Sequence, residues 1–135
     1  MSANKIVELF PSYSKNKLTI HPDCENEIRK IVKEGSYELR FGKDYDARMR
    51  ILLSNWDKAN QHCPQWFEHL KYYDSALYSM HLANIGNLRI LYTLGQHIIF
   101  LCAFKEKEGH GKRRQSYVQY VPIAQKRLEQ YKEEE

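Results

Sequence analysis

What this chain lacks narrows its class before anything it contains does. Cysteines number only three, Cys24, Cys63 and Cys102, an odd count spread far apart with no C-x-x-C pair. That spacing argues against a disulfide framework and a zinc ribbon, and it suits a reducing cytoplasm. No apolar run approaches the roughly 20 residues of a membrane-spanning helix, so no membrane partner is expected. The opening MSANKIVELF has neither the long apolar core nor the small-residue cleavage site of a signal peptide. Large charge imbalance is also missing: the net charge is +4, a mild basic bias that points toward an anionic partner. What is present fits a folded soluble domain, with 28% charged and 13% aromatic residues, ten of them tyrosine. At 135 residues the chain is read as one domain over 1–135 with a single core, its ends at 1–16 and 132–135 flexible.

The stretch 76–104, ALYSMHLANIGNLRILYTLGQHIIFLCAF, organises the rest. Residues 77–82 alternate, placing Tyr78, Met80 and Leu82 on one face and Ser79 and His81 on the other. Ala83-Asn84-Ile85-Gly86-Asn87 is turn chemistry, because Asn and Gly tolerate positive φ. Residues 88–94 repeat the alternation, with Leu88, Ile90, Tyr92 and Leu94 opposite Arg89, Leu91 and Thr93. Gly95-Gln96 reads as a second hairpin, and 97–104 is apolar on both faces, as a covered strand should be. The expectation is an antiparallel meander whose semi-polar face carries His81 and Arg89.

Flanking segments supply the helices. Short strands are read at 5–10 and 17–20, either able to pair with an edge of the meander, and 17–21 is the one predicted to do so. Pro22-Asp23 opens a helix with Ile28, Ile31 and Val32 on its buried stripe, and Gly35 stops it. Asp44 is the expected N-cap of a helix to about residue 58, its apolar side at Tyr45, Met49, Leu52, Leu53 and Trp56. Pro64 is expected to start a further short helix carrying Trp66, Phe67 and Leu70. The final helix shows a seam of Tyr117, Val121, Ala124, Leu128 and Tyr131, able to pack on the sheet or on another helix, with Pro122 inside the run. Helices before strands predict an α+β fold: a small antiparallel sheet, mixed at its N-terminal edge, with helices on one face and the other open. Between the last strand and last helix lie Lys105, Lys107, Lys112, Arg113 and Arg114 against Glu106 and Glu108, concentrating +3 of the chain's net +4.

Several motifs then carry a resemblance. Leu77-Tyr78-Ser79-Met80-His81, Arg89-Ile90-Leu91-Tyr92, Phe104-Lys105-Glu106-Lys107 and Ala124 through Arg127 to Tyr131 occur in that order. The sequence resembles the RelE/ParE toxin superfamily, in particular the phage-derived, HigB-like toxins of type II toxin–antitoxin systems. The likeness covers roughly the last 90 residues. It implies a RelE-like fold, a cognate helix-turn-helix antitoxin, and action on mRNA, commonly on the translating ribosome, with no cofactor and no metal. His81 stands where that branch carries an arginine, and the basic loop reads Gly-His-Gly-Lys-Arg-Arg instead of Lys/Thr/Pro-rich.

Metal-free RNA cleavage needs a base for the ribose 2′-hydroxyl, an acid for the leaving 5′ oxygen and a fixed cation for the phosphorane-like transition state. Arg89 is the expected cation, because a guanidinium stays charged and can hold two phosphate oxygens. Its alternative readings are a solvated strand arginine and one partner of an ion pair. His81, of shared strand parity, is the expected acid or base, and Lys105 is the third member of the expected catalytic set. Lys107, His110, Lys112, Arg113 and Arg114 are the expected RNA and phosphate contacts, giving salt-sensitive affinity. Tyr78 and Tyr92 are read as packing residues. Two other readings keep the same fold: a toxin that inhibits a protein such as DNA gyrase, and a phage-related interaction module without activity.

Overall fold

The structure is a computed structural model that describes residues 17–107 and 112–134. Strand β1 (Leu18–Ile20) is followed by α1 (Pro22–Glu34) and α2 (Glu38–Asn55). A 3-10 turn over Trp56–Lys58 and the single-turn α3 (Ala59–His62) lead to β2 (Phe67–His69). The meander β3 (Tyr78–Leu82), β4 (Leu88–Leu94) and β5 (Ile98–Lys105) comes next, then the long helix α4 (Lys112–Glu134). One five-stranded sheet has the order β1-β5-β4-β3-β2. β1 runs parallel to β5 and every other pairing is antiparallel, so the fold is α+β with a mixed sheet, as its N-terminal edge predicted. Among the described residues no helix is long and apolar enough to cross a membrane. The strand-like stretch at 5–10 and the Gly109–Gly111 loop fall outside the described residues.

Alternation along the strands builds two cores. Met80, Leu82, Leu88, Ile90 and Tyr92 enter the core beneath α1 and α2, with Ile28, Val32, Phe41 and Met49. Leu91, Leu101, Cys102 and Phe104 enter a second core with Tyr117, Val121, Ala124 and Leu128 of α4. A β-bulge makes this possible: Leu91 pairs with Cys102 while Tyr92 pairs with Phe100, leaving Leu101 as the extra residue. The seam read along the last helix is therefore a sheet-packing seam. This corrects the expectation of an open face, because α1 and α2 cover one side and α4 the other. Pro122 sits inside α4 without ending it.

Local chemistry set some boundaries and tertiary packing set others. The β3–β4 turn takes positive φ at Gly86 (60°) and Asn87 (56°), as Gly and Asn permit. Helix α1 starts at Pro22 and is capped by His21, whose Nδ1 accepts the Asp23 N–H at 3.1 Å. The opposite ring nitrogen of His21 donates to Gln130 Oε1 at 2.7 Å and ties this junction to α4. Helix α2 begins six residues before Asp44 and runs through Gly42, because the fully buried Phe41 packs against Tyr45 with rings 5.3 Å apart. Pro64 introduces no helix. Backbone bonds from Trp66 and Phe67 to the Cys63 carbonyl make a turn, and Phe67–His69 pairs with β3 as an edge strand.

β1 covers only Ile98–Phe100 of β5, so the next backbone groups need other partners. Arg127 donates to the Leu101 carbonyl at 2.8 Å and to both Glu27 oxygens at 2.8 and 3.0 Å, while Glu27 accepts the Ala103 N–H at 3.1 Å. This bidentate pair blunts a free sheet edge. Truncating the guanidinium leaves both the carbonyl and the carboxylate short of a partner. Arg127→Ala is expected to lower unfolding free energy by about 2 kcal/mol in urea denaturation. Arg127→Lys, which keeps the charge but not the fork, should recover only part of that loss.

Candidate functional site

The polar residues of the sheet gather on the α4 side, at the end where β5 leaves it. Arg89 pairs across the strands with His81 on one side and Phe104 on the other. Its guanidinium is not presented to solvent. Arg89 Nε donates to Glu106 Oε2 at 2.9 Å, and the two side chains are only 7% and 8% exposed. Nη1 lies 3.8 Å from Glu68 Oε1, and the Tyr117 ring centroid is 6.0 Å from the guanidinium carbon. The free phosphate-binding cation expected of Arg89 is thus corrected to a buried ion-pair member, the second of its two alternative readings. The physical reason is the helix on this face: once α4 excludes water, an unpaired guanidinium would carry a large desolvation cost.

His81 joins the same group. Its Nε2 is 3.9 Å from Glu106 Oε2 and hydrogen-bonded to Asn87 Oδ1. Asn87 is itself held by the backbone, accepting the Glu106 N–H at 2.9 Å. The Tyr117 hydroxyl donates to Glu68 Oε1 at 2.9 Å. Burial pushes the Tyr117 phenol up to about 12, with Arg89 opposing that shift, so at neutral pH it remains a donor. Glu68 is the most accessible member of the cluster, its side chain 37% exposed. The arrangement joins two carboxylates, an imidazole, a phenol and a guanidinium. It can accept and deliver protons, but with neutral His81 the two carboxylates outweigh the single guanidinium.

Lys105 does not belong to this cluster. It pairs with Leu88, one residue before Arg89, so it faces the α1–α2 side, and its Cε is the nearest heavy atom to the Cβ position at Gly86. Its predicted place beside Arg89 and His81 is corrected accordingly. Lys107 and Arg114 are exposed at the strand end and in the first turn of α4, and the Lys107 N–H donates to Ser116 Oγ at 3.5 Å. Lys112 and Arg113 open α4, but their side chains lie outside the described residues, as does all of His110.

Glu68, Glu106 and Tyr117 are the participants that sequence reasoning missed. Glu106 entered only as charge opposing the basic run, and Tyr117 only as an apolar seam position. A usable signal existed for Glu106: it follows directly on the β5 end that lies beside Arg89. Glu68 gave none, because its three-residue strand has no period. On the opposite face, Arg48 is 5% exposed and fully engaged, donating to the His81 carbonyl at 2.8 Å and the Asp44 carbonyl at 3.0 Å. It lies 4.1 Å over the Trp66 ring, and burial lowers its pKa. Comparison with protein-family models, curated protein sequences and solved structures gives no match.

The ion pair makes a prediction of its own. Arg89→Ala strands the Glu106 carboxylate away from water and should cost about 3 kcal/mol of stability. Adding Glu106→Gln removes the stranded charge and should restore a large part of it. Additive losses in that double-mutant cycle would show that the two side chains are not coupled.

Proposed function

We propose that this chain is a RelE/HigB-like toxin domain of a type II toxin–antitoxin system, an endoribonuclease that acts on mRNA in the cytoplasm, at the ribosome. Its partner is a helix-turn-helix antitoxin. The observation carrying this reading is the convergence of Glu68, His81, Arg89 and Glu106, each within 4 Å of another, on the sheet end next to the exposed Lys107 and Arg114. Clusters of ionisable groups away from water reduce stability and gather where chemistry is done.

The roles differ from those expected of the sequence. Glu68, the accessible carboxylate, takes the proton of the ribose 2′-hydroxyl. The 2′ oxygen attacks its own 3′ phosphorus, the bond to the 5′ oxygen breaks, and His81 in its protonated form supplies that oxygen's proton. The products are a 2′,3′-cyclic phosphate and a free 5′-hydroxyl. Arg89 offers its Nη edge to the phosphate where the looser 3.8 Å contact to Glu68 now lies, while Glu106 holds the Nε edge in place. Because the two carboxylates at least balance the cations of the cluster, Lys107 and Arg114 supply the attraction for the RNA backbone, which makes binding salt-sensitive.

A second reading, the same fold acting by binding alone on a target such as gyrase, is favoured by one specific observation: Arg89 is closed in by Glu106 and nearly inaccessible. A cell-free translation reaction separates the two. The nuclease reading predicts discrete mRNA fragments in the presence of the wild-type protein, reduced at least about 100-fold in Glu68→Gln. Intact mRNA with wild-type protein, or equal cleavage by Glu68→Gln, would remove the assigned chemistry. Inhibition of DNA supercoiling with intact mRNA would identify the second reading.

A further inference from the structure

The connection between β2 and β3 carries features that the acid–base cluster does not use. It is tightly held: the Tyr73 and Asp74 N–H groups both donate to the Leu70 carbonyl at 2.9 Å. Asp74 accepts the Ala76 N–H at 2.9 Å and the Gln125 amide of α4 at 3.0 Å, bonds that keep its carboxyl below the usual range. The Thr93 hydroxyl donates to the Ala76 carbonyl at 2.7 Å. This fixed loop nevertheless leaves Tyr72 91% exposed. A rigid backbone that holds a large ring in water, with no packing of that ring to explain it, presents the ring to something else.

The surroundings of Tyr72 suggest what that is. Lys71 Nζ lies 5.6 Å from the Tyr72 ring centroid. Lys71 also lines a cleft of about 470 Å³ between α3 and the outer edge of β2, together with Asn60, Gln61, Glu68 and His69 and a smaller apolar share from Pro64 and Phe67. Lys71, whose ammonium faces the Tyr72 ring, and Glu68 therefore line the same cleft. On the other side, Tyr73 packs edge-on against Tyr117 with rings 5.6 Å apart, and Tyr117 donates to Glu68. The cleft thus shares Lys71 with the exposed ring and Glu68 with the proposed cleavage site.

We propose that the Tyr72 ring and the Lys71-lined cleft beside β2 form a subsite for one unpaired nucleotide of single-stranded RNA. The inference rests on the RNA reading above and names the place where the strand is held. Every base has a face that stacks on an aromatic ring, and the ammonium of Lys71 attracts the adjoining phosphate. The Asn60 and Gln61 side-chain amides offer donors and acceptors to a base edge. The volume lies within the range of small-ligand sites. Because the loop is already ordered, little entropy is lost on binding. The flank of Tyr72 is a lysine and a polar cleft, not a broad apolar patch, which favours a nucleotide over an apolar protein surface.

Fluorescence of Tyr72→Trp, with wild-type protein as the background for Trp56 and Trp66, tests this directly. A short single-stranded RNA of mixed sequence should quench the added emission, and the same sequence in a duplex should not. Tyr72→Ala should raise the Kd for the single strand about ten-fold by anisotropy, while Tyr72→Phe stays near wild type. Unquenched emission from protein that binds RNA, or an unchanged Kd for Tyr72→Ala, overturns the subsite and leaves the nuclease reading standing. Failure of the wild-type protein to bind RNA at all overturns both. Quenching that persists in a protein that does not cleave mRNA retains the subsite and removes only the chemistry. An antitoxin whose affinity falls in Tyr72→Ala, with RNA binding unaffected, assigns the ring to a protein partner and contradicts the proposal.

Discussion

A guanidinium shielded from water needs matched acceptors, and for Arg89 the Glu106 carboxylate is the one that meets this requirement at one end of the sheet. Its consequences spread outward through named contacts. Glu106 comes within 3.9 Å of His81, and its backbone bond to Asn87 fixes the turn that also anchors the His81 ring. Glu68 approaches Arg89 from the edge strand and meets Tyr117 from α4. Strand, turn, edge and helix therefore converge on a single charged contact. Such a pair adds little net stability beyond an apolar substitute of similar volume, whereas removing one partner alone is costly.

The same pairing reshapes the chemistry. An exposed strand arginine over an open sheet would have bound phosphate unaided. A guanidinium already neutralised on one edge cannot do so, and in the nuclease reading proposed above Arg89 keeps only its Nη edge for a phosphate while Lys107 and Arg114 supply the rest of the attraction. In that reading the proton chemistry falls to Glu68, the carboxylate that water still reaches, and to the imidazole beside Glu106. The subsite proposed at Tyr72 meets it through the cleft that Lys71 and Glu68 both line.

Much of the meander was legible because its period is two and its turn residues have one conformational use. The faces of β3 and β4 follow the alternation read from 77–82 and 88–94, and Gly86 and Asn87 take the positive φ expected of them. The seam of α4 was legible too, but a seam tells which side is buried and not what covers it. That is why the second sheet face was expected to be open. Helix α2 starts early since burial of Phe41 outweighs the cost of Gly42 in a helix interior, a tertiary effect that no window of sequence contains. β2 is too short to show alternation, and with it Glu68 was lost from the site. Lys105 lies in a motif of the resemblance, but its register against Leu88, with Arg89 opposite Phe104, puts it on the other face of the sheet.

The central claim is that Arg89 is held away from water by Glu106. Proton exchange of the Arg89 Nε–H, followed by ¹H–¹⁵N NMR at neutral pH, measures that contact directly. The structure predicts a resolved resonance that exchanges far more slowly than those of exposed arginines such as Arg114, and that loses its protection in Glu106→Gln. An Arg89 Nε–H exchanging as fast as that of Arg114 would contradict the buried pair and restore a solvent-facing guanidinium.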